Sequence, residues 1–326
     1  MNEDTELLHL EPDSVSASGA WLFWPREPDE AFIRSLTVTG QIDPVLACRD
    51  PSGWSLLTGY KRLMACRKLG RRVLAREVRA DPLTRGKIAF WSNWPRWIVP
   101  EECLPPARYF QGLCPANDLQ DVLHELLGSF LNSRQLDDLT LWLQLPEDQD
   151  RHVLAGRLPL ESGRLMSRFE LVELEALDPF LAGLSWSRNK ARQFLTWLLE
   201  ASRREGREVG ELIAEAGLND TLQADLSPKD RLESLLAQAR RLRYPHLTQL
   251  EQEFQRLQTE VRKATLWNVR AEPGFEGDRI FLTAPVASRN NLYRAVRDLE
   301  KLAEGGYFEA IWNWQADRLN AGPGET

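Results

Sequence analysis

The stretch from Trp54 to Arg79 constrains the fold most strongly, because its pattern alternates between two kinds of secondary structure around glycine residues. Short apolar runs are typical of strands, and a ten-residue run with apolar positions on one side is typical of a helix. Glycine is the residue that most readily ends a helix in the left-handed conformation. The predicted elements are a strand at Trp54–Leu57, a turn at Thr58-Gly59, a helix at Tyr60–Leu69, a stop at Gly70 and a strand at Val73–Val78. Before this stretch, a helix is predicted to begin after the N-cap Asp29 and to stop near Gly40.

The same stretch is strongly basic, although the chain as a whole has a net charge of -7. A glycine turn that opens a basic helix suits an anion, because free backbone N–H groups and the helix dipole point at the ligand. The alternative is a solvated basic helix face, which charge alone favours. Both interpretations stay open on the residues alone. The basic residues are Lys61, Arg62, Arg67, Lys68, Arg71, Arg72, Arg76 and Arg79, against the single acid Glu77.

The composition is that of an ordinary globular protein, with 326 residues, 43% hydrophobic and 27% charged. A chain of this length predicts two or three domains. It has no apolar run long enough to cross a bilayer and no signal-peptide pattern, so we expect a soluble cytoplasmic protein. Its acidic net charge argues against a histone-like coating protein, but is compatible with DNA binding through a local basic face.

The sequence offers little support for metal or redox chemistry. The four cysteines are scattered without a CxxC pair, and the four histidines lie in no metal-binding frame. No nucleophile elbow, P-loop or dinucleotide fingerprint is present. We therefore predict no catalytic residue and no metal ligand, and we interpret Cys66 as a buried structural thiol. Only the Thr58-Gly59 turn indicates a possible chemical function, the binding of an anion.

The chain divides into four predicted segments. Residues 1–27 form a loosely attached arm, 28–97 an α+β domain, and 98–216 an all-α domain. Residues 217–326 form a helical hairpin, interrupted at Pro245, with a small α+β cap. Dimerisation through this last segment is one interpretation of its heptad-like stripe, and burial of the stripe within the chain is the other.

A helix of the all-α segment has a basic exterior that we interpret as a DNA-contacting face. The helix is amphipathic, with apolar residues at helical spacing on its inner side. Cations on an exposed helix face suit the phosphate backbone of DNA. The candidate DNA-binding residues are Arg188, Lys190 and Arg192.

Three short boxes follow one another along the chain: Gly40-Gln41 with Asp43-Pro44-Val45, then Gly59–Ala65, then Ser92–Arg96. Taken together, they resemble the N-terminal domain of the ParB family, which shares its fold with sulfiredoxin. The family's strand entry corresponds to Gly40-Gln41 followed by Asp43-Pro44-Val45, and its phosphate box, roughly GERRxRA, to Gly59–Ala65. A third box, ENxQR, corresponds to Ser92–Arg96. Downstream, the stretch LQLPEDQDRHVLAGRL resembles the family's helical domain, and the resemblance covers about residues 28–200.

The resemblance implies a protein that binds CTP, or another nucleoside triphosphate, with Mg²⁺ on its N-terminal domain. It also implies a homodimer that associates with DNA through a helix-turn-helix, here expected at about Leu119–Leu145. By position, Gly59, Lys61 and Arg62 would hold the phosphates and Asn93 and Arg96 would complete the site. Gly40 and Gln41 would lie near the triphosphate or the base, and Thr58 and Tyr60 complete the turn.

The chain departs from the family pattern at residues that matter for catalysis. Tyr60 replaces the glutamate of the phosphate box, and Lys61 gives a point charge where the family has a bidentate arginine. Ser92 and Pro95 replace the acid and the amide of the third box. We therefore expect nucleotide binding with at most weak hydrolysis. A sulfiredoxin activity is not expected, because its nucleophilic cysteine would fall at Tyr60.

The predicted helix-turn-helix also departs from the pattern, since its second helix carries Asp137 and Asp138 on the face expected to be outward. Acids there would oppose reading of DNA. The leading hypothesis is a divergent ParB-like, DNA-associated protein with a nucleotide site, acting in partition or transcriptional regulation. The alternatives are an interaction scaffold with a decayed site, and a nucleotide-dependent kinase or nuclease on the same fold.

Overall fold

A computed structural model describes residues 7–93, 99–272 and 279–305. The chain divides into two compact units, Met1–Glu233 and Ser234–Thr326. The first begins with an α+β region and continues as helices, and the second combines helices with a small two-stranded sheet. The predicted fold class is therefore confirmed. The finer division at residues 97 and 216 stays a prediction.

Five short strands form the sheet of the first unit, in the spatial order β1-β5-β3-β4-β2. The central hairpin of β3 and β4 is antiparallel, β5 runs parallel to β3, and each edge is completed by a strand from the N-terminal residues. The crossover from β4 to β5 contains the basic helix α2. The strands are β1 (Leu7–Leu10), β2 (Val15–Ser16), β3 (Val45–Asp50), β4 (Gly53–Thr58) and β5 (Val73–Glu77).

The prediction that the N-terminal residues form a loosely attached arm is wrong for the part that the structure describes. Strand β1 pairs antiparallel with β5, and β2 pairs parallel with β4, so the segment closes both edges of the sheet. Val15 is fully buried. Arg67 holds the connection by donating to the carbonyls of Pro12 (3.2 Å) and Val15 (2.6 Å). These residues belong to the domain core.

Three helices pack with this sheet, and their ends follow the predicted capping. α1 begins after Asp29, whose Oδ1 accepts the Phe32 N–H at 2.8 Å, and Gly40 ends it with a φ of 73°. Leu36 and Leu63 join the buried core of the sheet. The helices are α1 (Glu30–Thr39), α2 (Tyr60–Leu69) and α3 (Pro82–Ser92).

The rest of the first unit is helical, with large side chains such as Trp142, Phe110, Phe180 and Phe194 fully buried. Two adjacent helices, α5 and α6, occupy the region in which the helix-turn-helix was expected. The helices are α4 (Leu104–Gln111), α5 (Ala116–Leu127), α6 (Ser133–Trp142), α7 (Asp150–Leu154), α8 (Gly163–Met166), α9 (Leu171–Gly183), α10 (Arg188–Glu205), α11 (Val209–Glu215) and α12 (Leu218–Gln223).

A buried polar cluster ties α4 to the C-terminal end of α6. Arg108 donates through Nε and Nη2 to the two carboxylate oxygens of Asp150 at 2.8 and 2.9 Å, and Trp142 Nε1 donates to Asp150 Oδ1 at 2.8 Å. Arg108 also donates to the carbonyls of Leu143 and Leu145, which follow α6. We call these side chains the Arg108–Asp150 cluster. Each buried charge in it has a partner, which is the condition under which burial of an ion pair is tolerated.

The second unit is helical with a small α+β part, as the predicted fold class has it, and the hairpin arrangement of its helices stays a prediction. Pro245 separates two helices, and Leu250, Phe254 and Val261 of the second form a core with Val269 and Leu302. Within the parts of the chain that the structure describes, no helix is long and apolar enough to span a bilayer. The elements are α13 (Pro228–Arg243), α14 (Pro245–Ala264), β6 (Asn268–Ala271), β7 (Ile280–Thr283) and α15 (Arg289–Glu304).

Candidate anion-binding turn of α2

The connection between β4 and α2 is a one-residue turn at Gly59, which has a φ of 97° and a ψ of 32°. The N–H groups of Arg62 and Leu63 donate to the Gly59 carbonyl at 2.9 and 3.1 Å, so the helix begins directly after the turn. The N–H groups of Tyr60 and Lys61 precede these bonds and have no acceptor within the helix. Two backbone donors therefore lie at the positive end of the α2 dipole.

Glycine is required at position 59 for two separate reasons. Its positive φ is a conformation that side chains with a Cβ adopt at a cost. In addition, a Cβ at this position would lie 2.8 Å from Val45 Cγ1, closer than real Cβ contacts. Because Val45 is fully buried in β3, the turn packs directly on the centre of the sheet. A ligand at this turn would therefore rest against a rigid part of the domain.

Most cations of α2 and of the residues that follow it hold other parts of the same domain. Arg62 Nη1 donates to the Pro44 carbonyl at 2.9 Å, and Arg71 Nη1 to the Leu36 carbonyl at 3.2 Å. Arg72 Nε donates to Glu11 Oε1 at 2.6 Å. Together with the contacts of Arg67, these bonds make the basic run a structural element. The alternative of a freely solvated basic face is therefore wrong for these four arginines, and the binding of an anion at the turn stays a prediction.

Two carboxylates that lie just before α1 approach the two lysines of α2, Lys61 and Lys68. Glu27 accepts the Tyr60 hydroxyl at 3.1 Å through Oε1 and pairs with Lys68 Nζ at 3.3 Å through Oε2. Asp29 Oδ2 lies 4.0 Å from Lys61 Nζ. Burial, and then the bond to Glu27, raise the pKa of Tyr60, which keeps its hydroxyl neutral and able to donate.

The roles of Glu27 and Asp29 at the turn were missed by the sequence reasoning, which treated Asp29 only as a helix cap. The one sequence signal was local: Glu27, Asp29 and Glu30 cluster just before α1. Their cationic partners lie more than 30 residues along the chain, so charge counting within a window could not pair them.

The side-chain amide of Gln41 forms hydrogen bonds with the backbone of the same domain. Its Oε1 accepts the Leu74 N–H at 2.7 Å, and its Nε2 donates to the carbonyls of Leu74 (2.7 Å) and Asp43 (2.9 Å). The amide thus bonds to β5 as a strand residue would. Gly40, beside it, ends α1 with its N–H donating to the Leu36 carbonyl at 3.1 Å. Any contact of Gln41 with a nucleotide would have to come from its backbone.

The other predicted nucleotide residues lie in three places. Thr58 is 6% exposed at the end of β4 and completes the turn. Asn93 follows α3, and its Nδ2 donates back to the Ala89 carbonyl at 2.9 Å. Arg96 lies outside the described residues. The structure therefore brings Thr58 to Arg62 together, and the contribution of the third box stays a prediction.

The predicted DNA-binding residues lie at the start of α10. Arg188 is exposed and pairs with Glu161, which lies in the short turn before α8. Arg192 is exposed, whereas Lys190 is partly buried. Two of the three side chains are therefore accessible to a large partner.

The expectation that α6 carries two outward acids is wrong for Asp138. This residue is 2% exposed, and its Oδ1 accepts from Arg164 Nη2 at 3.0 Å. The exposed residues at the start of α6 are Ser133, Arg134 and Asp137. Its solvent face is therefore less acidic than the sequence pattern indicated, and the objection to a DNA-contacting α6 is weaker. The loop before it ends in a capping box formed by Asn132 and Gln135.

No family model and no curated protein sequence matches the chain. Among solved structures, it is similar to the C-terminally truncated chromosome-partitioning protein ParB from Caulobacter crescentus. The complex with the centromeric parS site matches at 16% identity and a TM-score of 0.33, over 56% of this chain and 96% of that one. The complex with CTP-gamma-S matches at 17% identity and a TM-score of 0.24, over 50% of this chain and 92% of that one.

A third match is a Pnob8-like ParB-N domain, at 16% identity and a TM-score of 0.32, over 78% of this chain and 99% of that one. All three are ParB structures, the family that the sequence boxes resemble. At these identities and TM-scores the likeness assigns no role to any residue, and the functional argument rests on the geometry of this chain.

Proposed function

We propose that this chain is a ParB-like, DNA-associated protein whose N-terminal domain binds a nucleoside triphosphate at the α2 turn. The observation that carries the proposal is the left-handed Gly59 turn, which leaves the N–H groups of Tyr60 and Lys61 at the positive end of α2. Backbone donors of this kind suit phosphate oxygens without any covalent chemistry.

The geometry divides the predicted phosphate residues into two roles. Lys61 is the side chain that would contact a phosphate, since it is 41% exposed and its carboxylate partner is 4.0 Å away. Arg62 instead stabilises the turn through its hydrogen bond to the Pro44 carbonyl. Gly59 provides the close approach of backbone to ligand.

CTP with Mg²⁺ is the ligand we propose, because one solved ParB structure holds CTP-gamma-S. The described residues contain no group of three or more metal-ligating side chains. The Mg²⁺ would therefore enter as a complex with the triphosphate, with water completing its coordination.

DNA is the proposed macromolecular partner, in partition or transcriptional regulation, with a homodimer as the working form. One solved ParB structure is a complex with the parS site. In this chain, the exposed Arg188 and Arg192 at the start of α10 would contact phosphates, with Lys190 beside them. Binding should weaken steeply with salt, because each neutralised phosphate releases counterions.

Titration calorimetry with the four nucleoside triphosphates and Mg²⁺, with and without duplex DNA, tests the nucleotide site. We expect CTP to bind, and Lys61→Ala to weaken binding about ten- to a hundredfold, since a charge-assisted hydrogen bond is worth about 1.5–3 kcal/mol. The matched control is Arg79→Ala, which removes a charge from a side chain that is 92% exposed and pairs with Glu77. It should bind as the wild type does.

The alternative is an interaction scaffold whose nucleotide site has decayed. The observation that favours it is the pairing of Glu27 and Asp29 with the lysines of α2. Absence of binding by every nucleotide to the wild type, together with absence of binding to any duplex at low salt, would support the scaffold and contradict our proposal.

A further inference from the structure

The segment Glu27–Asp29 contacts the side chains of the two residues whose backbone N–H groups the proposed phosphate would use. Lys61 and Tyr60 supply the two backbone donors of the site, and each has a side-chain contact with this segment. The Tyr60 hydroxyl donates to Glu27 Oε1 at 3.1 Å, and Lys61 Nζ lies 4.0 Å from Asp29 Oδ2. The protein thus places two of its own carboxylates against the side chains that flank the proposed phosphate position.

These contacts are of the kind that a ligand can exchange. The side chains of Lys61 and Asp29 are 41% and 67% exposed, and those of Lys68 and Glu27 are 50% and 62% exposed. Ion pairs between exposed side chains contribute little to stability, because water screens them. The loss of these pairs therefore costs the fold little.

We propose that the carboxylates of Glu27 and Asp29 act as an intramolecular competitor for a polyphosphate at the α2 turn, so that ligand binding displaces them from Tyr60 and Lys61. The inference rests on the proposed function, because it concerns the same turn. It predicts that the affinity of the wild type is held down by two negative charges that do not bind the ligand.

The structure allows this displacement without loss of the helix. Asp29 caps α1 through Oδ1, which accepts from Phe32 N–H, whereas Lys61 approaches Oδ2. The cap therefore survives when the lysine turns to a phosphate. Glu27 precedes Pro28 and lies outside α1, so its side chain can leave Tyr60 without a change in the helix.

Glu27→Gln and Asp29→Asn test the inference, because each removes a charge and keeps the local bond. Glutamine retains an acceptor for the Tyr60 hydroxyl, and asparagine is as good a helix cap as aspartate. We expect tripolyphosphate and CTP to bind about two- to fivefold more tightly to each variant, as expected for loss of one exposed pairing partner.

Glu11→Gln is the matched control. Glu11 pairs with Arg72 at 2.6 Å, and the two side chains are 63% and 66% exposed, so the same charge is lost from a similar ion pair that does not contact the turn. Its affinity for both ligands should equal that of the wild type. An equal gain in this control and in the test variants would mean that net charge alone is responsible, and would contradict the inference.

The remaining outcomes separate the inference from the proposed function. Unchanged affinity in both test variants would overturn the inference while leaving the nucleotide site intact. Weaker binding of CTP with Mg²⁺ in Asp29→Asn would overturn it too, because the carboxylate would then be holding the cation. Tighter binding of tripolyphosphate without binding of any nucleotide would support the inference and overturn the nucleotide proposal. No binding of tripolyphosphate or of any nucleotide to any variant would overturn both.

Discussion

The basic residues of α2 and the Arg108–Asp150 cluster both pair cations with carboxylates, but they differ in their access to solvent. The side chains of Arg108 and Asp150 are 14% and 10% exposed, and Asp150 accepts three hydrogen bonds. The side chains of Lys61 and Asp29 are 41% and 67% exposed, and their charged atoms are 4.0 Å apart.

The difference shows how one kind of interaction serves two purposes. Removal of one partner from a buried ion pair leaves an unpaired charge in a poorly solvated site, which is strongly unfavourable. Removal of one partner from an exposed pair leaves a charge that water solvates. The cluster therefore fixes α4 against the end of α6, whereas the pairs beside the α2 turn can exchange their partners for a ligand.

Asp150→Ala should have the largest effect of the substitutions considered. It leaves Arg108 buried without its carboxylate and Trp142 Nε1 without its acceptor, so the free energy of unfolding should fall by about 3–5 kcal/mol. The denaturant midpoint measures this loss. Asp148→Ala, at an exposed acid two residues away, is the control and should change the free energy by less than about 0.5 kcal/mol. Similar effects of the two substitutions would remove the distinction between buried and exposed pairs.

Gly59→Ala should have an intermediate effect, and Gly70→Ala separates its two causes. Both glycines have positive φ, so both substitutions carry a backbone cost of about 1 kcal/mol. Only at Gly59 would the new Cβ meet Val45 Cγ1, whereas nothing lies within 4 Å at Gly70. Overpacking should add about 1–3 kcal/mol at Gly59. Equal melting temperatures for the two variants would show that the turn does not pack tightly on β3.

Lys68→Ala should have the smallest effect. The Lys68 side chain is 50% exposed and pairs only with the exposed Glu27 among the described residues, so the free energy of unfolding should change by less than about 1 kcal/mol. The difference from wild type should shrink further at high salt, since screening shortens the range of surface electrostatics. A loss as large as that of Asp150→Ala would show that the pairs at α2 are structural and not exchangeable.

The features that the sequence predicted well are those that local physics determines. Asp29, Gly40 and Gly70 mark helix ends through capping and positive φ, which depend on a few neighbouring residues. Pro245 divides the long heptad-like stretch because proline cannot continue a helix interior. The burial of Cys66 also follows from its place on the apolar side of α2.

The features that the sequence did not predict depend on partners that are distant along the chain. Strand β1 has four residues and pairs with β5, with Leu7 opposite Arg76, so no local pattern marks it. The buried position of Asp138 depends on its partner Arg164, which belongs to another helix. The α2 turn itself was predicted correctly. The acids that contact the side chains of Tyr60 and Lys61, however, lie just before α1 and about 30 residues away along the chain.

Amide chemical shifts of the full chain, recorded while CTP and Mg²⁺ are added, test the central claim most directly. Our account predicts that the largest changes occur at Gly59, Tyr60 and Lys61, because their backbone groups would contact the phosphates. It predicts smaller changes at Glu27 and Asp29 as these residues leave the turn. Changes confined to other parts of the chain, or no change at saturating nucleotide, would contradict it.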